Sequence, residues 1–173
     1  MARMPFRFGL VFLVTFAVLV ASFEATRGSA FERFVVETLI LRPTTSLIDL
    51  VTPAEHVVLV GRTLESPYGS SLHVTRGCEG VEMFLLLMAA LISFPTSAAR
   101  KAQGLLWGSL LAYVLSIARL MSLHYTLHHT PELWEMLHGF ILPLVPILLM
   151  ALFFLYWSSS RSEERRVGKE CVP

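Results

Sequence analysis

Four apolar segments, separated by short polar stretches, constrain this chain more than any other feature. Phe8 to Phe23, Val81 to Phe94, Gly104 to Leu123 and Phe140 to Trp157 carry almost no charge, and such runs approach the ~20 apolar residues that cross a bilayer as a helix. The chain has 173 residues, 54% hydrophobic and 16% charged. That composition fits one membrane-embedded domain and not a soluble one. The formal net charge is +1 and no basic stripe is present, so lipid is an expected partner and nucleic acid is not.

Lysine and arginine placement sets the expected direction of each crossing. Arg3 and Arg7 precede the first segment, and Arg100 and Lys101 lie between the second and third. Placing both groups in the cytoplasm puts residues 24–80 and 124–138 outside. The expectation is a mainly α, multi-pass protein with four transmembrane helices at about 8–23, 81–94, 104–123 and 139–157. Trp134 and Tyr125 suit the outer interface, Tyr156 and Trp157 the inner one. Ala21-Ser22-Phe23-Glu24-Ala25 is a poor cleavage site, so the first helix is expected to be retained rather than removed as a signal peptide.

Residues 24–76 contain no run long enough to cross. Phe31, Phe34, Val35, Leu39 and Ile40 fall at helical spacing, Arg42-Pro43 interrupts the pattern, and Leu47, Ile48, Leu50 and Val51 resume it up to Pro53. A broken helix lying on the membrane surface is expected. His56 to Val60 and Leu72 to Thr75, separated by a loop with Ser66-Pro67-Tyr68-Gly69, read as the two strands of a small extracytoplasmic β-hairpin.

The domain is taken as residues 1–160, because the tail 161–173 has a different character. Arg161-Ser162-Glu163-Glu164-Arg165-Arg166-Val167-Gly168-Lys169-Glu170-Cys171 resembles an in-frame translation of a sequencing-library adapter and is set aside. One of the two cysteines, Cys171, goes with it. Cys78 then has no internal disulfide partner, and its meaning is reactivity or packing.

Cys78 stands in Arg76-Gly77-Cys78-Glu79-Gly80-Val81-Glu82, where a polar loop becomes an apolar helix. The positive end of a helix dipole there favours negative charge on a nucleophile; the plainer reading is a small cysteine packed at a helix start. Arg119 interrupts the third apolar segment, where a guanidinium at mid-membrane costs about 2.5–3.5 kcal/mol. Snorkelling to the headgroups would relieve that cost, and a fixed cation serving an oxyanion would justify it. His138 opens the last crossing. The topology puts Cys78, Arg119 and His138 at one face, and a thiol, a base and an oxyanion stabiliser are the minimal set for acyl transfer through a thioester. Glu82 is expected to cap its helix and to pair with Arg119, and Arg76 to anchor at the interface and place positive charge near Cys78.

Other chemistries are weaker. There is no Gly-rich phosphate loop, paired-Cys metal motif or His-Glu-x-x-His signature. His124 and His128 would share a helix face, yet with His129 they fall in a short loop without a carboxylate or cysteine at a compelling spacing. No cofactor and no metal is expected.

Gly77-Cys78-Glu79-Gly80-Val81-Glu82, an apolar helix ending Phe94-Pro95, Arg119 in the next crossing and His138 at the start of the last together resemble the exosortase/archaeosortase family. The resemblance runs from about Val57 to Trp157 and is greatest to the exosortase H subgroup. It implies a cysteine transpeptidase of the bacterial inner membrane with its site facing the periplasm. Its substrates would be exported proteins whose C-terminal sorting signal is a short motif, a transmembrane helix and a basic tail. By motif the nucleophile falls on Cys78, the arginine on Arg119 and the histidine on His138. Two positions depart: the residue after the cysteine is commonly Asn and here is Glu79, and an Asn expected three residues before the arginine is Ser116. A non-catalytic scaffold or degenerate homologue is the alternative.

Overall fold

The computed structural model describes residues 3–67, 69–75 and 77–159; the expected roles of Arg76 and of the tail with Cys171 lie outside the described residues. The chain is mainly helical, and three helical stretches are long and apolar enough to cross a membrane: Arg7–Ala25, Ala98–His129 and Pro131–Ser159. The first belongs to helix α1 (Arg3–Ala25). Helix α4 (Val81–Ser93) has only 13 residues, about 20 Å of rise, and falls short of the fourth crossing expected at 81–94.

After α1, Ser29 caps helix α2 (Ala30–Arg33) by accepting from Glu32 N, and the Glu32 carboxylate reaches back to Gly28 N at 2.6 Å. This is the reciprocal logic of a capping box, shifted by one residue. From α2 the chain continues through a π-helical stretch, Phe34–Leu41, into helix α3 (Arg42–Val51). The interruption expected at Arg42-Pro43 does not occur. Arg42 N bonds Glu37 O in the wider π register, and Pro43, which has no N–H to lose, sits in the first turn of α3.

The expected two-stranded hairpin is a three-stranded antiparallel sheet in the order β1-β2-β3. Strand β1 (Val58–Val60) pairs with β2 (Thr63–Glu65), which pairs with β3 (Ser71–His73), aligning Leu59, Leu64 and Leu72. Gly61, at φ 59°, makes the tight two-residue turn into β2. The middle strand is three residues long, too short to carry a readable alternation.

Helix α5 (Ala98–His129) spans 32 residues, about 48 Å. It runs past the expected end at Leu123, so His124, His128 and His129 are helical and not in a loop. A 3₁₀ turn (Pro131–Leu133), the short helix α6 (Trp134–Met136) and a second π-helical stretch (Leu137–Ile141) lead into α7 (Leu142–Ser159).

Two cores organise these elements. In the apolar bundle, Leu87, Met88 and Leu91 of α4 pack with Ala112 of α5 and Met150 of α7. Gly108 permits the approach, because a Cβ there would lie 2.8 Å from Leu91 Cδ1. Beyond the bundle, Val36, Ile40, Leu41 and Ile48 join Leu64, Leu72 and Val74 of the sheet region against Leu120 and Leu123 of α5. The α2–α3 helix is therefore one wall of a cap on α5, rather than only a surface helix. Cys78 belongs to this second core.

Candidate active site

Cys78 is delivered by a turn built for close approach. Val74 N bonds Arg62 O and Cys78 N bonds Thr75 O at 3.1 Å, and the flanking Gly77 and Gly80 sit at φ 80° and 81°. Gly80 has no room for a side chain as well: a Cβ would stand 2.3 Å from Ser116 Oγ. The start of α4 is thereby pressed against α5 one turn below Arg119. Ser116, which stands where the resemblance expects Asn, is buried and turns its hydroxyl back to Ala112 O at 2.9 Å. Its part is to form the surface on which Gly80 rests.

The structure brings Cys78 and His138 together. Sγ lies 3.2 Å from His138 Nε2, and Thr75 Oγ1 lies 3.5 Å from the sulfur. Cys78 is 8% exposed, so its immediate surroundings are protein rather than bulk water. The His138 ring is positioned by Trp134, one helical turn earlier, which stacks on it with ring centroids 5.1 Å apart and planes 9° apart. The i, i+4 spacing of Trp134 and His138 is the sequence signal for this contact, a role beyond the interfacial position expected of Trp134. Thr75 had no comparable signal.

Arg119 does not snorkel. It is 6% exposed, and Nη1 donates to Gly77 O at 3.0 Å, in the turn that presents Cys78. Arg119 Nε is buried without a hydrogen-bond partner among the described residues. An orphaned donor of this kind is costly unless something else uses it.

The pairing expected between Glu82 and Arg119 is replaced by the Arg119–Gly77 bond. Glu82 is exposed in the first turn of α4, with Oε2 3.8 Å from where a Gly77 Cβ would be. That position keeps the helix-end role of a carboxylate. Glu79 is the acid that goes inside. It is 5% exposed, and its Oε2 lies 3.8 Å from Arg62 Nη1, an ion pair too long to be a hydrogen bond. Arg62 makes its short contact, 2.6 Å, with Glu32. Burial pushes the Glu79 carboxyl above its ordinary range, partly offset by Arg62, whereas the Gly28 N–H and Arg62 hold Glu32 below its own.

An apolar cleft of about 420 Å³ opens between α1, the first π-helical stretch, α4 and α5. Phe23, Val35, Leu39, Phe84 and Tyr113 line it, and Gly80 and Ser116 lie at its wall.

A thiol beside an imidazole, with a buried guanidinium on the same turn, can exchange a proton between sulfur and nitrogen and offer donors to developing negative charge. Compared with known proteins, the chain matches no family model, no curated protein and no solved structure.

Proposed function

We propose that this protein is a membrane cysteine transpeptidase or peptidase of the exosortase type, which cleaves the C-terminal sorting signals of exported proteins. The observation that carries the reading is the 3.2 Å approach of Cys78 Sγ to His138 Nε2. Supporting it are the burial of Arg119 against the same turn and the motif resemblance around Cys78.

In the proposed reaction His138 takes the Cys78 proton as Sγ attacks the carbonyl carbon of the scissile peptide bond. Charge developing on the carbonyl oxygen is met by Arg119, whose Nε is the free donor. Collapse breaks the C–N bond; the amine leaves with the proton held by His138, and the exported protein stays as a thioester on Cys78. An acceptor amine or water then attacks the thioester, His138 accepts its proton, and the thiol is restored.

Substrate in this reading arrives from the lipid phase, since the cleft beside Gly80 is walled by apolar side chains. The reading also places the protein in the bacterial inner membrane with the site toward the periplasm. The fourth crossing would be completed by α4 together with the stretch 94–97. Gly80 abuts Ser116, which stands 18 residues, or about 27 Å, along α5 from Ala98.

The test is co-expression with an exported protein bearing a motif, a transmembrane helix and a basic tail. Processing should occur with the wild type and stop with Cys78→Ala present in the membrane at equal level; processing that continues would refute the assignment. A second reading, a non-catalytic homologue, draws on Ser116, whose hydroxyl is spent on Ala112 O where an amide side chain is expected. It predicts no processing by the wild type either.

A further inference from the structure

The far end of α5 gathers a second set of chemical groups, none of them shared with the Cys78–His138 pair. Glu55, in the turn between α3 and β1, is 3% exposed and its Oε2 is 2.6 Å from His124 Nε2, itself 1% exposed. His128 and His129 lie at the last turn of the same helix. Adjacent residues on a helix diverge by about 100°, yet these two rings approach to 4.6 Å between centroids. One donor atom from each of Glu55, His128 and His129 lies within 4.8 Å of the other two. The carboxylate that the local sequence did not offer is supplied from more than 70 positions upstream.

We propose that Glu55, His128 and His129 form a binding site for one divalent transition-metal ion of the zinc type. Two imidazoles and one carboxylate are a zinc donor set, and three protein ligands leave a fourth position for water. Donors bound at about 2.1 Å in a tetrahedron stand roughly 3.4 Å apart, so separations of up to 4.8 Å must close by up to about 1.4 Å. His129 is exposed and sits in the final helical turn, where such movement is easiest.

Two further features favour a cation there. The hydrogen bond from His124 fixes the Glu55 carboxylate, as outer-shell partners orient metal ligands. The site also lies at the C-terminal end of α5, where the negative end of the helix dipole favours a cation. His129 is held from behind by Tyr125, whose ring stacks on it 6.2 Å away and whose hydroxyl bonds Thr52 at 2.7 Å. A bound ion would tie the turn after α3 to the end of α5, just before the segment that carries His138. The site is therefore a brace for the cap, and it stands or falls independently of the proposed peptide chemistry.

The experiment is a Zn²⁺ titration of the full, untagged chain in detergent micelles, against a chromogenic chelator. Cys78→Ser and Cys171→Ser are present throughout to remove thiol binding. One Zn²⁺ per chain at micromolar affinity or tighter is expected, weakened at least about tenfold by His129→Ala and by Glu55→Gln and unchanged by His138→Ala. His129 is exposed, so its variant folds even if Glu55→Gln does not; a Zn²⁺-dependent rise in Tm should vanish in it. No binding below 100 µM, on the order of a thousandfold weaker than a structural site, would overturn the proposal. So would binding indifferent to His129→Ala.

Discussion

Cys78 and His138 are 60 residues apart in sequence and 3.2 Å apart at Sγ and Nε2. The contact depends on two independent placements. The glycine-flanked turn before α4 presents the sulfur, and the stack of Trp134 on His138 presents the imidazole. Each can be disturbed without touching the other.

Trp134→Ala removes the face on which His138 rests. An imidazole displaced by about 1 Å loses up to 100-fold in rate, so processing of a co-expressed substrate should fall by 10- to 100-fold. Trp134→Phe, which restores a stacking ring, should recover most of it. Equal rates for Trp134→Ala and wild type would show that the stack does not position the base.

Gly80→Ala places a Cβ 2.3 Å from Ser116 Oγ and 3.0 Å from Ser116 Cβ, on a backbone at φ 81°. A non-glycine residue in that region costs about 1–3 kcal/mol before the clash is counted. Thermal unfolding in detergent should show the variant clearly destabilised, with Ser116→Gly giving partial recovery as a second change. A Gly80→Ala protein as stable as wild type would mean that the approach of α4 to α5 is not as close as described.

Arg119→Lys keeps the charge and loses the fork. A lysine ammonium carries its three donors on one nitrogen and does not reproduce the separate Nη1 and Nε donors that face Gly77 O and the reacting oxygen. Turnover should drop by about 100-fold, the scale of removing one oxyanion donor, while membrane insertion is unchanged. Full activity would remove the guanidinium geometry from the account.

Glu79 is an acid whose buried carboxyl has its pKa raised above the ordinary 4.5. The folded chain then holds a proton that the unfolded chain has already released, so ionising Glu79 costs stability as pH rises above about 4.5 and through the folded value. Glu79→Gln removes that cost. Its Tm at pH 7 should exceed the wild type by about 2–4 °C for each kcal/mol relieved, and the difference should shrink as pH falls below 4.5. A variant less stable at pH 7 would show that the Arg62 contact outweighs the burial.

The three helical stretches long and apolar enough to cross a membrane were legible because hydropathy acts over long runs, and α1, α5 and α7 each supply one. The expected crossings put Cys78 and His138 at one face, but their contact at 3.2 Å is a matter of tertiary packing that the sequence does not display. What could not be read was decided by contacts between distant segments. Strand β2 exists because Leu64 is buried between its neighbours, which no three-residue pattern announces. Helix α5 extends through His124, whose buried partner is Glu55, 69 residues earlier, a contact that no local pattern announces. Arg119 suggests a partner for Glu82 because each falls near the outer end of its expected crossing, whereas α5 continues to His129 and Arg119 donates instead to the backbone carbonyl of Gly77. Pro43 looked like a break because a π register is not visible in a sequence.

The thioester tests the central claim most directly. Wild-type protein mixed with a tripartite-tail substrate and quenched in acid should carry, by intact-mass spectrometry, an acyl adduct on Cys78 that hydroxylamine removes. His138→Ala should form it much more slowly and Cys78→Ala not at all. Processed substrate appearing with no adduct on Cys78, or an adduct that survives in Cys78→Ala, would contradict the account.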